Sequence, residues 1–345
     1  HIGLDLSRPR VDVCVVADDG IVVEQTAVHN SRQGLVDLVD QIACHGDNEI
    51  RAVVESMNGA RFVHDTLEEL GWDVEVADAA KVKGFGPIAT KTDRIDAWVL
   101  AELSRRDLVP TIWLPTPEVR AGRELCRLRS HLVKHRTMLK NRIHSNLISW
   151  ALTVPMSDLF GTKGRQHLKK LEIPTQWRHS ISICLTEIDH LDQQITNIDH
   201  EIRKRATNDV YTQLLITAPG IGPILGYIIS TEIGDITRFP TPKQLVGYTG
   251  LVPRVRQSGD NDYRGPLTGN GPTQLRWALI EATTWAQKHP TYQKRHQRIK
   301  QRRGKQQGTS IARVDTARRL TTAIWWMLTK QEPFNPQSPV LPLVA

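Results

Sequence analysis

Residues 1–7, HIGLDLS, form a short apolar stretch that one carboxylate, Asp5, interrupts. The stretch predicts a β-strand, in which an ionised carboxylate costs several kcal/mol when buried unless a charge or a metal compensates it. Because side chains alternate between the two faces of a strand, Asp5 can instead face water. Asp5 is therefore either a surface residue or part of a compensated site.

The sequence after this strand predicts a compact α/β region. β-branched runs at residues 11–17 and 21–28 are joined by Asp18-Asp19-Gly20, which is typical of a hairpin. Further predicted elements are strands over 51–55 and 72–77 and a helix over 60–70.

Three more acids occur where they can join Asp5. Glu55 ends an apolar run, and Asp93 and Asp96 lie three apart in a predicted helix over 92–105. This spacing puts both on one helix face, where like charges repel unless a cation or solvent separates them. Carboxylates are the ligands that Mg²⁺ and Mn²⁺ prefer, and two such ions stabilise the attacking and leaving oxygens at a phosphodiester. The pattern favours metal-dependent phosphoryl transfer, with a solvated acidic surface as the alternative.

Composition places the chain among globular proteins. Its 345 residues suffice for two or three domains, and 39% are apolar and 24% charged. No run of about 18 apolar residues and no signal peptide is found, so we expect a cytoplasmic protein that does not span a membrane. His1 in place of Met suggests that leading residues are missing. The four cysteines are widely spaced, which indicates reduced structural thiols.

Charge is distributed unevenly along the chain. Residues 1–119 hold 11 Lys and Arg against 21 Asp and Glu, whereas residues 120–178 hold 13 against 3. Residues 288–319 hold 11 Lys and Arg and one acid. Two basic blocks beside an acidic region suit a polyanion such as nucleic acid, although solvated basic helices are the alternative.

Two long helices are predicted after a proline-rich link at residues 110–117. The first, over 118–150, is rich in Arg and His, and the second, over 175–207, carries a seam of apolar residues in steps of three and four. Such a seam packs as a coiled coil, either on the first helix or on a second protomer. The seam residues are Ile181, Leu185, Ile188, Leu191, Ile195, Ile198 and Ile202.

Two segments of the C-terminal region suggest contacts with phosphate. Pro219-Gly220-Ile221-Gly222 resembles the turn of a helix-hairpin-helix element, although it also serves as a tight turn between helices. Ser258 precedes Gly259 in a predicted loop among arginines that could stabilise charge on phosphoryl oxygens. No base is evident beside Ser258; the acids of residues 260 and 262 and the N-terminal acidic site are the candidates. The residues predicted to contact nucleic acid are Gly220, Gly222, Arg254, Arg256, Arg264, Arg276, Arg129, Arg136, Lys140 and Arg142.

Together these motifs resemble the DEDD-type transposases of insertion sequences, the IS110 family. The motifs that carry the resemblance across nearly the whole chain are GLD (3–5), VES (54–56), KTDRIDA (91–97), PGIG (219–222), GYTGLVP (247–253) and SG (258–259). The sequence departs from the family pattern after Arg264-Gly265. There Thr268 precedes Gly269 rather than a basic residue, and Gly271 precedes Pro272 rather than Asn.

The resemblance implies a fold and a chemistry. It implies an α/β N-terminal domain of RNase H/RuvC-like type (1–108), a linker and basic coiled-coil region (109–210), a mostly α-helical transposase domain with the serine (211–330) and a tail (331–345). Asp5, Glu55, Asp93 and Asp96 would bind Mg²⁺ or Mn²⁺, and Ser258 would form a 5′-phosphoserine link to DNA. It also implies a homo-oligomer, a dimer or tetramer with composite active sites, and a non-coding bridge RNA that selects donor and target DNA. Association with the bacterial nucleoid follows from such partners.

Three other functions stay open at this point. A RuvC-like nuclease or junction resolvase would hydrolyse DNA with water and would not need Ser258. A non-catalytic nucleic-acid-binding protein would carry the acids only on its surface. A sugar kinase of actin-like fold shares the first strand, but the sequence offers no second phosphate loop.

Overall fold

The computed structural model describes residues 1–44, 49–84, 92–258 and 261–336. For five residues inside helices or strands only the backbone is described: Ser258, Asn261, Asp262, Arg264 and Lys305. The chain divides into two units, His1–Leu114 and Pro115–Ala345. In the described residues no helix is long and apolar enough to cross a membrane.

The first unit is an α/β domain built on a five-stranded sheet. The strand order is β3-β2-β1-β4-β5, with β1 antiparallel to β2 and β2 to β3, and with β1, β4 and β5 parallel. The strands are β1 (Ile2–Leu6), β2 (Arg10–Val16), β3 (Val22–His29), β4 (Arg51–Glu55) and β5 (Asp73–Ala77). The helices are α1 (Arg32–Ala43), α2 (Ala60–Glu69), α3 (Ala79–Val82) and α4 (Asp93–Arg105). The predicted strands and helices of this region are confirmed.

The two faces of the sheet bury different residues. Ile2, Leu4 and Leu6 lie in a core that also contains side chains of α1 and α2. Because side chains alternate, Gly3 and Asp5 lie on the opposite face, against which α4 packs. Helices therefore cover both faces of the central strands, whereas the edge strand β3 has no buried residue.

Gly3 permits the close packing of α4 on β1. A Cβ atom at residue 3 would lie 1.8 Å from the carbonyl oxygen of Ala97 and 2.6 Å from the backbone nitrogen of Ala101. No side chain fits in that space, so glycine is required for the helix to approach this closely. The contact fixes α4, and with it the acids of its first turn, relative to Asp5.

The second unit is mostly helical. Its helices are α5 (Pro117–Ser149), α6 (Thr162–Lys169), α7 (Thr175–Asn208), α8 (Val210–Leu215), α9 (Pro223–Ile233), α10 (Pro242–Tyr248), α11 (Thr273–Ala286), α12 (Pro290–Arg303) and α13 (Lys305–Lys330), with a 3₁₀ turn over Ile236–Arg238. Two strands, β6 (Pro253–Ser258) and β7 (Asn261–Leu267), form an antiparallel sheet.

The seam predicted on α7 packs within the chain. Helices α5 and α7 pack against each other, and all seven seam positions are buried or half-buried. The alternative in which the seam waits for a second protomer is therefore not needed to explain its apolar residues. The four cysteines are free thiols, as predicted, and all but Cys44 are buried.

One local prediction is wrong. The sequence predicts a loop at Ser258, whereas the backbone places it as the last residue of β6, paired with Asn261 of β7. Val255 and Tyr263 favour strands, and pairing with a second strand outweighs the many polar residues of this segment.

Candidate functional site

Asp5 lies on the central strand of the first unit, on the face that packs against α4. It is half-buried, and in the β1–β4 pairing Leu4 is opposite Val54. Continuing this parallel register by one residue puts Asp5 beside Glu55 at the carboxyl end of β4. Carboxyl ends of parallel strands meet at one edge of a sheet, where ligands commonly bind.

Asp93 and Asp96 occupy the first turn of α4. The hydroxyl of Thr92 accepts a hydrogen bond from the Ile95 N–H (3.4 Å) and caps this end of the helix. Negative side chains are stabilised there by the helix dipole. Asp93 is exposed and Asp96 is half-buried.

Electrostatics shows that the four predicted acids converge. Burial, followed by the charges of Asp96, Asp93, Glu55 and Asp12, raises the pKa of Asp5 to about 7. Three acids from β4 and α4 can act on Asp5 in this way only if the fold brings them close to it. The structure therefore assembles the acids that the sequence singled out.

A fifth acid belongs to the same group and was missed. Asp12 of β2 lies directly opposite Asp5 in the β1–β2 pairing and is only 2% exposed. Arg10 contacts it with two guanidinium nitrogens, and the Nε to Oδ2 distance is 2.8 Å. A signal was present in the sequence, because Asp12 interrupts a β-branched run much as Asp5 interrupts its strand.

The chemistry of these donors fits a hard divalent cation. Carboxylate oxygens are the ligands that Mg²⁺ and Mn²⁺ prefer, and a cation offsets the negative charge that, after burial, raises the pKa of Asp5. Within the ranges that the structure describes, no three Asp, Glu, His or Cys side chains are positioned to hold a metal ion together. The fit thus rests on donor type and convergence rather than on ligand distances.

The Ser258 region belongs to the second unit. Arg254 and Arg256 are exposed on β6, whereas the side chains of Ser258 and Arg264 and all of residues 259–260 lie outside the described part. Arg276 is engaged within the unit, since its Nη1 donates to the carbonyl oxygens of Thr249 and Asn270 (both 3.2 Å).

The turn containing Gly220 and Gly222 joins helices α8 and α9. Gly220 has φ +85°, and a Cβ there would lie 2.2 Å from the Ala282 carbonyl oxygen of α11. Gly222 is the N-cap residue of α9, and Pro223 is its first helical residue. Two helices joined by a glycine turn fit both interpretations of this motif, a helix-hairpin-helix element and a tight turn between helices.

Several arginines of the basic helix α5 are paired with acids of α7. Arg129 donates to both carboxylate oxygens of Asp199, with an Nη2 to Oδ2 distance of 3.3 Å. Arg136 Nη1 lies 2.5 Å from Asp192 Oδ1. By contrast Arg142 is exposed. The Lys140 ammonium lies 4.8 Å from the centre of the Phe160 ring. Part of the charge of the first basic block is thus neutralised inside the unit.

Comparisons with known proteins identify the class. Residues 2–150 match the DEDD transposase family model, described as "Transposase", and the first unit, a five-stranded α/β domain, fits the RNase H-like fold of that class. Residues 212–298 match the model "Transposase IS116/IS110/IS902 family". The chain therefore belongs to the IS116/IS110/IS902 family of insertion-sequence transposases, enzymes that cut and recombine DNA.

Relatives of similar length support this assignment. The chain is 24% identical over 351 residues to the transposase for insertion sequence element IS1111A of Coxiella burnetii, covering 97% of this chain and 91% of the relative. It is 25% identical over 348 residues to the pilin gene-inverting protein of Moraxella bovis, covering 97% of both. A shorter match, 26% over 235 residues, joins it to the transposase for IS1328 of Yersinia enterocolitica, with 66% of this chain and 68% of the relative covered.

Proposed function

We propose that this transposase cuts and rejoins DNA strands through a covalent serine intermediate, with a divalent cation held by Asp5, Glu55, Asp93 and Asp96. The observation that carries the proposal is the convergence of these acids on Asp5, whose pKa is raised to about 7. Mg²⁺ or Mn²⁺ bound there would offset negative charge on the phosphoryl oxygens.

The proposed reaction balances without any further reactant. Ser258 Oγ attacks phosphorus, the Oγ–P bond forms and the P–O3′ bond breaks. The hydroxyl proton of the serine ends on the leaving 3′ oxygen, and the 5′ phosphate stays on the protein. Attack by a free 3′ hydroxyl on the phosphoserine then reverses these changes and joins new partners.

In our proposal, each of the three regions predicted from the sequence has its own role. Residues 1–108 supply the acids, 109–210 the basic helical region and 211–330 the serine. Exposed residues such as Arg142, Arg254 and Arg256 support contacts with phosphates. A non-coding bridge RNA that selects the DNA sites, and a dimer or tetramer with composite active sites, are part of the same proposal.

A strand-exchange assay tests the acids and the serine separately. Asp93→Asn, Asp96→Asn and Ser258→Ala are each expected to abolish recombination between donor and target DNA across a Mg²⁺ titration. Ser149→Ala, at the exposed end of α5, is the matched control and should retain activity. Asp93→Asn and Asp96→Asn proteins that keep full activity would contradict the metal role.

Ser258→Ala also separates the proposal from a RuvC-like nuclease. A nuclease that uses water would still cut DNA after this change, because the hydroxyl takes no part in hydrolysis. Sequencing the RNA that co-purifies with the protein from its host tests the guide. A defined RNA from the non-coding ends of the element is expected, and its absence from active preparations would contradict RNA guidance.

A further inference from the structure

Asp12 belongs to the acidic group by its position, but it is not among the proposed ligands of the cation. It lies directly opposite Asp5 across the antiparallel β1–β2 pair. Residues so paired have Cβ atoms about 4.5–5.5 Å apart and side chains on the same face. By register, then, Asp12 and Asp5 are direct cross-strand neighbours, and Asp12 is 2% exposed.

Arg10 donates two hydrogen bonds to the carboxylate of Asp12. Its Nε donates to Oδ2 at 2.8 Å and its Nη2 donates to Oδ1, a two-point pairing that fixes the orientation of both groups. The Arg10 side chain is 52% exposed while that of Asp12 is 3% exposed. A buried carboxylate needs such a partner, and both of its oxygens are directed at the guanidinium.

The contacts between Arg10 and Asp12 pair one positive with one negative side chain. The pair lies near the acids of α4, because the negative charge of Asp93 adds to the rise in the pKa of Arg10 that Asp12 causes. Arg10 and Asp12 therefore behave as a neutral pair at the border of the acidic group.

We propose that Arg10, locked onto Asp12, withholds this fifth carboxylate from the cation and so sets the affinity of the acidic site for Mg²⁺ or Mn²⁺. The proposal rests on the proposed function, since it concerns the same cation. Arg10 is a positioning residue here: it acts through Asp12, and the ligands remain Asp5, Glu55, Asp93 and Asp96.

The proposal predicts opposite effects for the two halves of the pair. Arg10→Gln leaves an uncompensated carboxylate beside the site and should tighten cation binding on the order of tenfold. Asp12→Asn leaves an uncompensated guanidinium there and should weaken binding by a similar factor. In the Arg10→Gln/Asp12→Asn double variant both charges are gone, so binding should return close to wild type. A merely structural role would weaken binding in all three.

The test is a Mn²⁺ titration of the full-length protein without DNA, with free Mn²⁺ measured by electron paramagnetic resonance. Arg10→Lys, which keeps the charge, should stay near wild type, and so should Arg32→Gln, which removes an arginine paired with exposed Glu69. Circular dichroism verifies folding of each variant. If Arg10→Gln does not fold, Asp12→Asn against the double variant still decides the matter.

The outcomes separate this inference from the function on which it rests. Wild-type protein that binds no Mn²⁺ would overturn both. Wild-type binding with the same affinity in Asp12→Asn and in the double variant would overturn only the role of Arg10. Weaker binding by Asp12→Asn that the second substitution restores is the expected result.

Discussion

Gly3 and Ala97 are in backbone contact: a Cβ atom on residue 3 would lie 1.8 Å from the Ala97 carbonyl oxygen. This contact sets the distance between β1, which carries Asp5, and α4, which begins with Asp93 and Asp96. The geometry of the acidic group therefore depends on a residue that has no side chain.

Gly3→Ala should impair the acidic site without altering any acid. The new methyl group must displace α4, at a cost of about 1–3 kcal/mol in stability, and the shift moves Asp93 and Asp96. We expect a lower melting temperature together with a loss of strand exchange. Gly247→Ala is the control, since a Cβ there meets nothing within 4 Å; equal activity in both variants would contradict this role of Gly3.

Asp5 should make stability depend on pH. Its folded pKa of about 7 lies above the ordinary aspartate pKa of 3.8, so the folded state holds this proton more tightly than the unfolded chain does. The stability that this bound proton contributes is complete below pH 3.8 and is lost as pH rises through 7. Asp5→Asn should therefore raise the free energy of unfolding at pH 8 in chelator, by roughly 1–2 kcal/mol after allowance for solvent, and much less at pH 5.

Urea unfolding at the two pH values measures this difference. Asp37→Asn, on the exposed face of α1, is the control for loss of a carboxylate and should leave the free energy of unfolding close to that of wild type. An Asp5→Asn protein with the same stability gain at both pH values would show that the folded state does not raise the pKa of this carboxylate.

Much of the first unit could be predicted from sequence, whereas its pairings could not. Alternation and turn residues indicate the strands, and the acid spacing in α4 indicates a shared face. Asp12 gives the same local signal as Asp5, yet only the β1–β2 register shows that the two are opposite each other. Likewise the partner of Arg129 is Asp199, which lies 70 residues away, and no local pattern reveals that pairing. The sequence predicts a loop at Ser258 because no local pattern reveals its cross-strand pairing with Asn261.

Glu232 should be a main determinant of stability in the second unit. It is fully buried, and Arg127 Nη2 lies 3.2 Å from its Oε1 while Arg123 donates to the Thr231 and Glu232 carbonyl oxygens. Arg123 Nε also lies 3.8 Å from Glu232 Oε2. Arg123→Ala removes this ion pair and the donor of both carbonyl oxygens while Arg127 stays paired, so it should cost on the order of 3 kcal/mol. Glu201→Ala breaks an exposed pair with Arg205 and should cost below about 1 kcal/mol. Equal losses in urea unfolding would contradict the distinction.

The arginines should differ in their effect on DNA binding. Arg256 is exposed, so Arg256→Ala should lower the slope of log affinity against log salt by about 1 if it contacts one phosphate. Arg129 is paired with Asp199, so Arg129→Ala should leave the slope unchanged and mainly lower stability. Fluorescence anisotropy with duplex DNA at several salt concentrations measures both; the reverse order of effects would contradict the assignment.

The most direct test of the serine chemistry is to locate the covalent bond. The protein is incubated with Mn²⁺ and 3′-labelled donor and target DNA, denatured and digested with protease and nuclease, and the modified peptide is identified by mass spectrometry. We expect a 5′-phosphate ester on Ser258, lost in Ser258→Ala and retained in Ser149→Ala. Recombination-competent protein with no such adduct, or with the adduct on another residue, would contradict it.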